Sequence, residues 1–270
     1  MAAFADASPV GLTHEDFELE SMQQVGRLLA SRRFDVVLNT AAFHVVDRCE
    51  AEPERALAIN ALAVERLAAA CEVTGTVLAH VSTDYVFDGQ AREPYIESDP
   101  TSPINTYGIS KLTGELLLRR RPEPHYVFRT SGLYSPRGRS TKGKPFIERM
   151  LESAKAALSL RVVNDVWFSP SNAAHVATAI RAVIEREAYG LYHVTNGGAC
   201  TWHAFATEAL RQAGIDVKIE ATSAADGSSP VRRPAYSALA GKAMDGLGLP
   251  PMPAWQEGVA AYLSARDEKG

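Results

Sequence analysis

Short β-branched apolar runs alternate along this chain with longer stretches of helical period, and that alternation is what most limits its fold. Val36-Val37-Leu38 follows a charged segment and runs into Asn39-Thr40-Ala41-Ala42; a brief apolar run ending in small residues reads as a buried parallel strand. Between residues 53 and 71, Ala56, Ile59, Asn60, Ala63, Leu67 and Ala70 recur at helical spacing, with Pro53 near the start and Gly75 just past the end. That is the punctuation of an amphipathic helix. Residues 77–83 predict a second strand, 107–120 a helix and 125–130 a third strand. Strand and helix in this order imply a parallel sheet covered by helices.

Beyond residue 130 the rhythm changes. Residues 135–144 are polar, basic and Gly-containing and read as a mobile loop. Helices are expected at 146–157, 173–187, 202–213 and 255–264, and strands at 160–163, 190–194 and 217–220, with a polar Ser/Ala/Gly stretch at 222–230. There is no internal repeat. At roughly 150 residues per domain, 270 residues allow one large domain or two modest ones. With 46% hydrophobic and 22% charged residues the composition is that of a globular protein. The 28 basic against 32 acidic residues, net −4, leave no footprint for a nucleic-acid backbone. Cys49, Cys71 and Cys200 are odd in number and form no C-x-x-C pair, which argues against a disulfide framework or a zinc site and fits a reducing setting. No apolar stretch approaches the length of a membrane span, and residues 1–6 lack a basic signal start, so a cytoplasmic protein is expected.

Tyr107-Gly108-Ile109-Ser110-Lys111 places a phenol and an ammonium at i and i+4, on one face of a helix. A phenol transfers protons poorly at neutral pH, and a neighbouring cation would stabilise its phenolate. Ser82-Thr83 ends a predicted strand, and ligands of open α/β sheets bind outside the carboxyl ends of the strands. Both hydroxyls are therefore expected to face the ligand crevice.

A strand-end Ser/Thr with Tyr-x-x-x-Lys on the following helix resembles the short-chain dehydrogenase/reductase constellation. The resemblance is closest to the extended members acting on nucleotide sugars, the dTDP-4-dehydrorhamnose reductases. It is carried by residues 36–43, Val46-Asp47-Arg48-Cys49-Glu50, and above all Ser82-Thr83-Asp84-Tyr85-Val86-Phe87-Asp88-Gly89. Pro103-Ile104-Asn105-Thr106-Tyr107-Gly108, Arg129-Thr130-Ser131, residues 190–194 and Arg232-Arg233-Pro234 continue it in order, so that it runs from about residue 30 to the end. It implies transfer of hydride from NADPH or NADH to the keto carbon of a nucleotide-linked 4-keto-6-deoxy sugar. Tyr107 would protonate the alkoxide, Lys111 would bind the nicotinamide ribose and depress the Tyr107 pKa, and Thr83 would orient the carbonyl. Asn39, Ala41, Ala42 and Ser82 would lie beside the cofactor, with Asn60 supporting the crevice. Asp84 and Tyr85 would line the sugar pocket. A homodimer is a possible assembly, and magnesium at subunit contacts is a family property only.

The sequence departs from that pattern in three places. The family opens with a strand, a G-x-x-G-x-x-G turn and a helix that holds the cofactor pyrophosphate. Here the first glycines, Gly11 and Gly26, follow no apolar strand, and residues 10–19 resemble the segment after the second strand. A late start, a truncation that lost catalysis, or a rearranged nucleotide site would each account for this, and the late start is preferred. Gly132 stands where the family carries a tryptophan, and Trp167-Phe168 is bulkier than the family's Gln-x-Gly approach to Ser169-Pro170.

Other features have plainer readings. His44 and His80 are expected to be packing or hydrogen-bonding residues. The basic segment 137–144 could clamp a diphosphate or be a solvated loop, and Arg232 and Arg233 could bind the nucleotide or form surface salt bridges. Arg119-Arg120-Arg121 complements a helix dipole. Asp47 and Glu50 are too few for a metal site, and none is assigned. His80, Ser82 and Asp84 do not make a hydrolase set.

The expectation is a doubly wound parallel α/β sheet, Rossmann-like and lacking its first βα unit, with a smaller α/β substrate lobe. Residues 1–135 plus 165–195 would form the dinucleotide-binding part, and 136–164 plus 196–270 the lobe. An NAD(P)H-dependent nucleotide-sugar reductase is the favoured function; a non-catalytic reductase-like subunit that binds a sugar nucleotide or a protein is the alternative.

Overall fold

The computed structural model describes residues 2–13, 15–16, 18–122, 124–136, 144–156, 159–227 and 229–267. Residues 137–143 of the expected basic loop lie outside them. A 3-10 turn, Ala2–Ala7, precedes α1 (Met22–Ser31), β1 (Val36–Asn39), α2 (Val46–Ala51), α3 (Pro53–Leu57), one π-helical turn (Ala58–Leu62), α4 (Ala63–Thr74) and β2 (Val77–Thr83). A second 3-10 turn, Asp84–Val86, leads toward α5 (Thr106–Arg119), β3 (His125–Thr130), β4 (Leu133–Tyr134), α6 (Phe146–Ala156) and β5 (Ser159–Val163). Then come β6 (Trp167–Phe168), β7 (Ser171–Asn172), α7 (Ala173–Glu185), β8 (Gly190–His193), β9 (Cys200–Thr201), α8 (Trp202–Gln212), β10 (Lys218–Thr222), α9 (Lys242–Asp245) and α10 (Trp255–Asp267).

The central sheet is parallel with strand order β1-β2-β3-β8. Alternation along each strand divides its side chains between two helical layers. Leu78 and Val127 face α1, α4 and α5, where Val25, Leu29, Leu67, Ala68, Cys71 and Leu118 bury them. Ala79, Tyr126 and Phe128 face Val176, Ala179, Ile180 and Val183 of α7. Helices on both faces make the sheet doubly wound, as the alternation of strand and helix predicted.

The reading had not placed α1, whose Ser21 cap accepts the Gln24 N–H and whose Val25 and Leu29, four apart, are both buried. The expected single helix over 53–71 is interrupted by the π turn at Ala58–Leu62 and ends on Gly75 in the left-handed conformation, φ +69°. β1 lies at one edge of the sheet, and Val36, Val37 and Leu38 keep partial exposure while the β3 residues are all buried. Among the described residues no strand pairs with its outer side.

A second core gathers Ile147 and Leu151 of α6, Phe205 and Leu210 of α8, and Trp255, Val259 and Tyr262 of α10. β5 and β10, paired in parallel, carry Leu160 and Ile219 to it. Gly132 explains one departure noted in the sequence. Its φ of +52° is left-handed, and a Cβ there would meet the Phe168 ring at 2.4 Å. Phe168 is stacked on Trp202, ring centroids 4.0 Å apart. A bulky residue at 132 and Phe168 exclude each other.

Candidate active site

The carboxyl end of β2 and the first turns of α5 meet around Tyr107. Asn105 caps α5, its Oδ1 accepting the Gly108 N–H at 2.9 Å, and the Glu50 carboxylate accepts from the N–H and hydroxyl of Thr106 at 2.7 and 2.6 Å. Gly108 permits the approach, since a Cβ would lie 2.1 Å from the Tyr85 carbonyl oxygen. The Tyr85 and Tyr107 rings meet edge to face at 5.7 Å.

Thr83 lies beside the Tyr107 phenol and favours its ionised form, while its hydroxyl donates to Asp84 Oδ1 at 3.0 Å and accepts the Tyr85 N–H at 3.3 Å. Asp84, 4% exposed, also accepts from Ser131 at 2.8 Å and Ser237 at 2.5 Å. Three hydroxyls from three segments thus converge on one carboxylate, which burial nonetheless pushes above the usual range. The predicted sugar-pocket residue Asp84 is therefore the bracket that ties the β2 end, the residue after β3 and the 229–240 segment together. The Thr130 hydroxyl, opposite Thr83 in the β2–β3 register, is buried without a partner.

Lys111 departs from expectation. It is 2% exposed, and its Nζ bonds His80 Nε2 at 3.1 Å and the Val81 carbonyl at 2.7 Å. Burial lowers its pKa, against a smaller opposing influence of Glu115. It does not depress the Tyr107 pKa in this arrangement. Burial raises the phenol well above its usual value, the neighbouring Thr83 hydroxyl opposes this, and the Asp84 charge adds to it. Ser82 is likewise not turned to the crevice. Its hydroxyl donates to Glu115, which also takes Arg129 in a buried ion pair at 2.7 Å.

His80, read from the sequence as a packing or hydrogen-bonding residue, is the latter, and its two partners are what the sequence reading missed. Fully buried, it joins Lys111 to Asn39, whose Nδ2 lies 3.2 Å from His80 Nδ1. The signal was periodicity: His80 and Ser82 share one strand face, and Lys111 and Glu115 one helix face. Asn60, in the π turn, donates to Phe43 O and Ser110 Oγ, both at 2.9 Å, and accepts the Phe43 N–H at 2.8 Å. It fixes the turn after β1 against α5, and Ala41 and Ala42 lie in that turn.

Arg233 reaches across to α2, pairing with Asp47 at 2.8 Å, and it also hydrogen-bonds Tyr85. Arg232 is exposed, while its carbonyl accepts from Asn105 Nδ2 at 3.0 Å. Among the described residues no three His, Cys, Asp or Glu side chains are placed to hold a metal. No described helix is long and apolar enough to cross a membrane.

Residues 2–267 match the family model described as RmlD substrate binding domain. The chain belongs to this family. A dTDP-4-dehydrorhamnose reductase of Salmonella typhimurium is 38% identical over 251 residues, 89% of this chain and 82% of that protein. The crystal structure of a dTDP-4-dehydrorhamnose reductase from Clostridium acetobutylicum superposes with a TM-score of 0.90 at 32% identity, covering 96% of this chain and 90% of that one. The Bacillus anthracis dTDP-4-dehydrorhamnose reductase, solved with NADP, gives 0.88 at 30% identity, covering 94% and 89%.

The RmlD-family chain fits one end of a nicotinamide dinucleotide better than the other. Small residues after β1, the Tyr107 phenol and the orphaned Thr130 hydroxyl suit a polar ring and its ribose. For the diphosphate, no described strand passes through a short glycine-bearing turn directly into a helix. The β1–α2 turn, residues 40–45, has no glycine, and the α5 N-terminus is already capped. A diphosphate cradle of the strand–glycine turn–helix kind is absent from the described residues.

Proposed function

We propose that this chain catalyses NAD(P)H-dependent reduction of the keto group of a dTDP-4-keto-6-deoxy sugar, the dTDP-4-dehydrorhamnose reductase reaction of dTDP-rhamnose synthesis. The observation that carries this reading is the placing of Tyr107 beside Thr83 at the carboxyl end of β2, with Thr83 braced by Asp84, in a chain of this family. When bound, the nicotinamide supplies a hydride. The chain's own residues hold the carbonyl and deliver the proton.

Thr83 and Tyr107 are the groups that receive the carbonyl oxygen. In the ligand-free arrangement the Thr83 hydroxyl donates to Asp84 and accepts the Tyr85 N–H, which fixes it beside the Tyr107 phenol. A carbonyl oxygen entering between them takes the Tyr107 proton as negative charge develops on it. Raising the phenol's pKa keeps that proton on Tyr107 until an alkoxide, a far stronger base, is there to take it. Asn39, Ala41, Ala42 and Lys111 are the residues set to lie against the nicotinamide and its ribose. Tyr85, Arg232 and Arg233 are set to meet the nucleotide diphosphate, Arg233 by exchanging its Asp47 partner for phosphate oxygens. Ser82 is assigned to the buried bracket with Glu115 instead of to the cofactor. The sheet with its two helical layers would carry the dinucleotide, and the second core the sugar.

Tyr107→Phe tests the reading. It removes one hydroxyl and is expected to lower keto-sugar-dependent NADPH oxidation by roughly 10²–10⁴-fold, while the sugar nucleotide still raises the thermal midpoint as it does for the parent chain. Unchanged turnover in that variant would end the assignment.

A further inference from the structure

The hydrogen bonds around His80 fix more than its position. Ala41 N–H donates to Asn39 Oδ1 at 3.0 Å, and an amide nitrogen cannot accept that bond. The orientation of the Asn39 amide is therefore set, and its NH₂ faces His80 Nδ1 at 3.2 Å. Nδ1 must then be an acceptor. A neutral imidazole carries one proton, so it resides on Nε2, which lies 3.1 Å from Lys111 Nζ. An Nε2–H directed at Nζ needs a lone pair there, and an ammonium has none. Lys111 as an amine meets every requirement: it accepts from His80 and donates to the Val81 carbonyl at 2.7 Å.

We infer that Asn39 and His80 are positioning residues that hold Lys111 as an uncharged amine in the ligand-free protein, with the imidazole proton on Nε2. The surroundings agree. Lys111 is 2% exposed and His80 fully buried. Glu115, the carboxylate on the same helix, is neutralised by Arg129 of β3; His80 of β2 is itself kept neutral by burial; and β1 contributes the uncharged Asn39. Desolvation lowers the Lys111 pKa accordingly. To become an ammonium, Nζ must take a proton from solvent and turn from His80, for instance when ligand hydroxyl or phosphate oxygens offer themselves as acceptors. The catalytic consequence rests on the reductase reading, in which the ammonium supports the Tyr107 phenolate; the protonation state does not.

The test is nitrogen-15 and carbon-13 NMR of the whole chain labelled in histidine and lysine, with His80→Gln and Lys111→Arg used to assign the two signals. The expected result is a His80 spectrum of the Nε2–H tautomer, constant through neutral pH, and a Lys111 Cε signal of the free amine over the same range. Asn39→Asp keeps the shape and accepts the Ala41 N–H, but its second oxygen needs a donor. It is expected to switch His80 to the Nδ1–H tautomer and to raise the Lys111 midpoint by about one pH unit or more. An Nδ1–H tautomer in the parent chain, or a Lys111 ammonium at neutral pH, overturns the inference. Under the reductase reading the alkaline limb of kcat/KM moves upward in Asn39→Asp. Absence of keto-sugar turnover in the parent chain would remove the reading and leave the NMR result to stand or fall alone.

Discussion

Tyr107 and Lys111 leave the same face of α5 and end in different surroundings, one against Thr83 and Tyr85, the other inside the sheet–helix layer against His80. Spacing alone shows that two side chains share a helix face; it does not show which way a flexible lysine turns. Its course is set by where buried acceptors lie, here the Val81 carbonyl and the His80 ring. The match was nonetheless readable. Two residues along a strand advance about 6.6 Å and four along a helix about 6 Å. His80 and Ser82 therefore stand in step with Lys111 and Glu115. The position of Tyr107 depends on a residue without chemistry of its own. Gly108→Ala would place a Cβ 2.1 Å from the Tyr85 carbonyl oxygen and push the first turn of α5 outward. Steady-state kinetics should show kcat reduced by about 10²-fold, the cost of an ångström-scale misplacement. A variant with parental kcat would mean that the approach of α5 to Tyr85 does not set the geometry.

At the scale of elements, β2, β3 and α5 are pinned by one buried ionic cluster. Glu115 receives Ser82 from β2 and Arg129 from β3, and the Arg129 guanidinium also lies 5.2 Å from the centroid of the Phe87 ring. A buried pair adds little over a well-packed apolar pair, while removal of one partner leaves an uncompensated charge. Arg129→Met is therefore expected to cost about 3–5 kcal/mol in urea unfolding, and the double variant Arg129→Met with Glu115→Leu to recover most of it. A double variant as unstable as the single one would contradict this account of the cluster. The longer strands and the long helices other than α1 were legible because their apolar periods are local. The π turn at Ala58–Leu62, β4, β6, β7 and β9 were not. The π turn is imposed by the Asn60 bonds to Phe43 and Ser110, distant in sequence, and the two-residue strands carry no period to read.

For the molecule as a whole, two neutral buried histidines couple stability to acid. Burial, with Arg129 nearby, depresses the His193 pKa to about 4, and burial with Lys111 nearby holds His80 well below its usual value. Below the unfolded histidine value of about 6.5 the unfolded chain binds protons the folded chain refuses, so stability falls as pH drops from there toward 4. His193 alone contributes a loss of about 2 kcal/mol at pH 5. Asp84, whose carboxyl is raised, works in the opposite direction over the same range. With two groups against one, the thermal midpoint should fall between pH 7 and pH 5; a flat or rising midpoint would contradict it. The doubly wound sheet was evident in the chain's alternation, and the second core was foreshadowed by the helices after residue 145. The Asp84 bracket and the Arg233–Asp47 contact were hidden, because they join residues more than 150 positions apart. These contacts close the 229–240 segment over the β2 end, where the reaction is placed. Transfer of deuterium from [4-2H]NADPH to the sugar, followed by mass spectrometry of the product, tests that placement most directly. The account predicts one deuterium at the former keto carbon of a dTDP-4-keto-6-deoxy sugar, formed roughly 10²–10⁴-fold more slowly by Tyr107→Phe. A parent chain that yields no labelled sugar would contradict it.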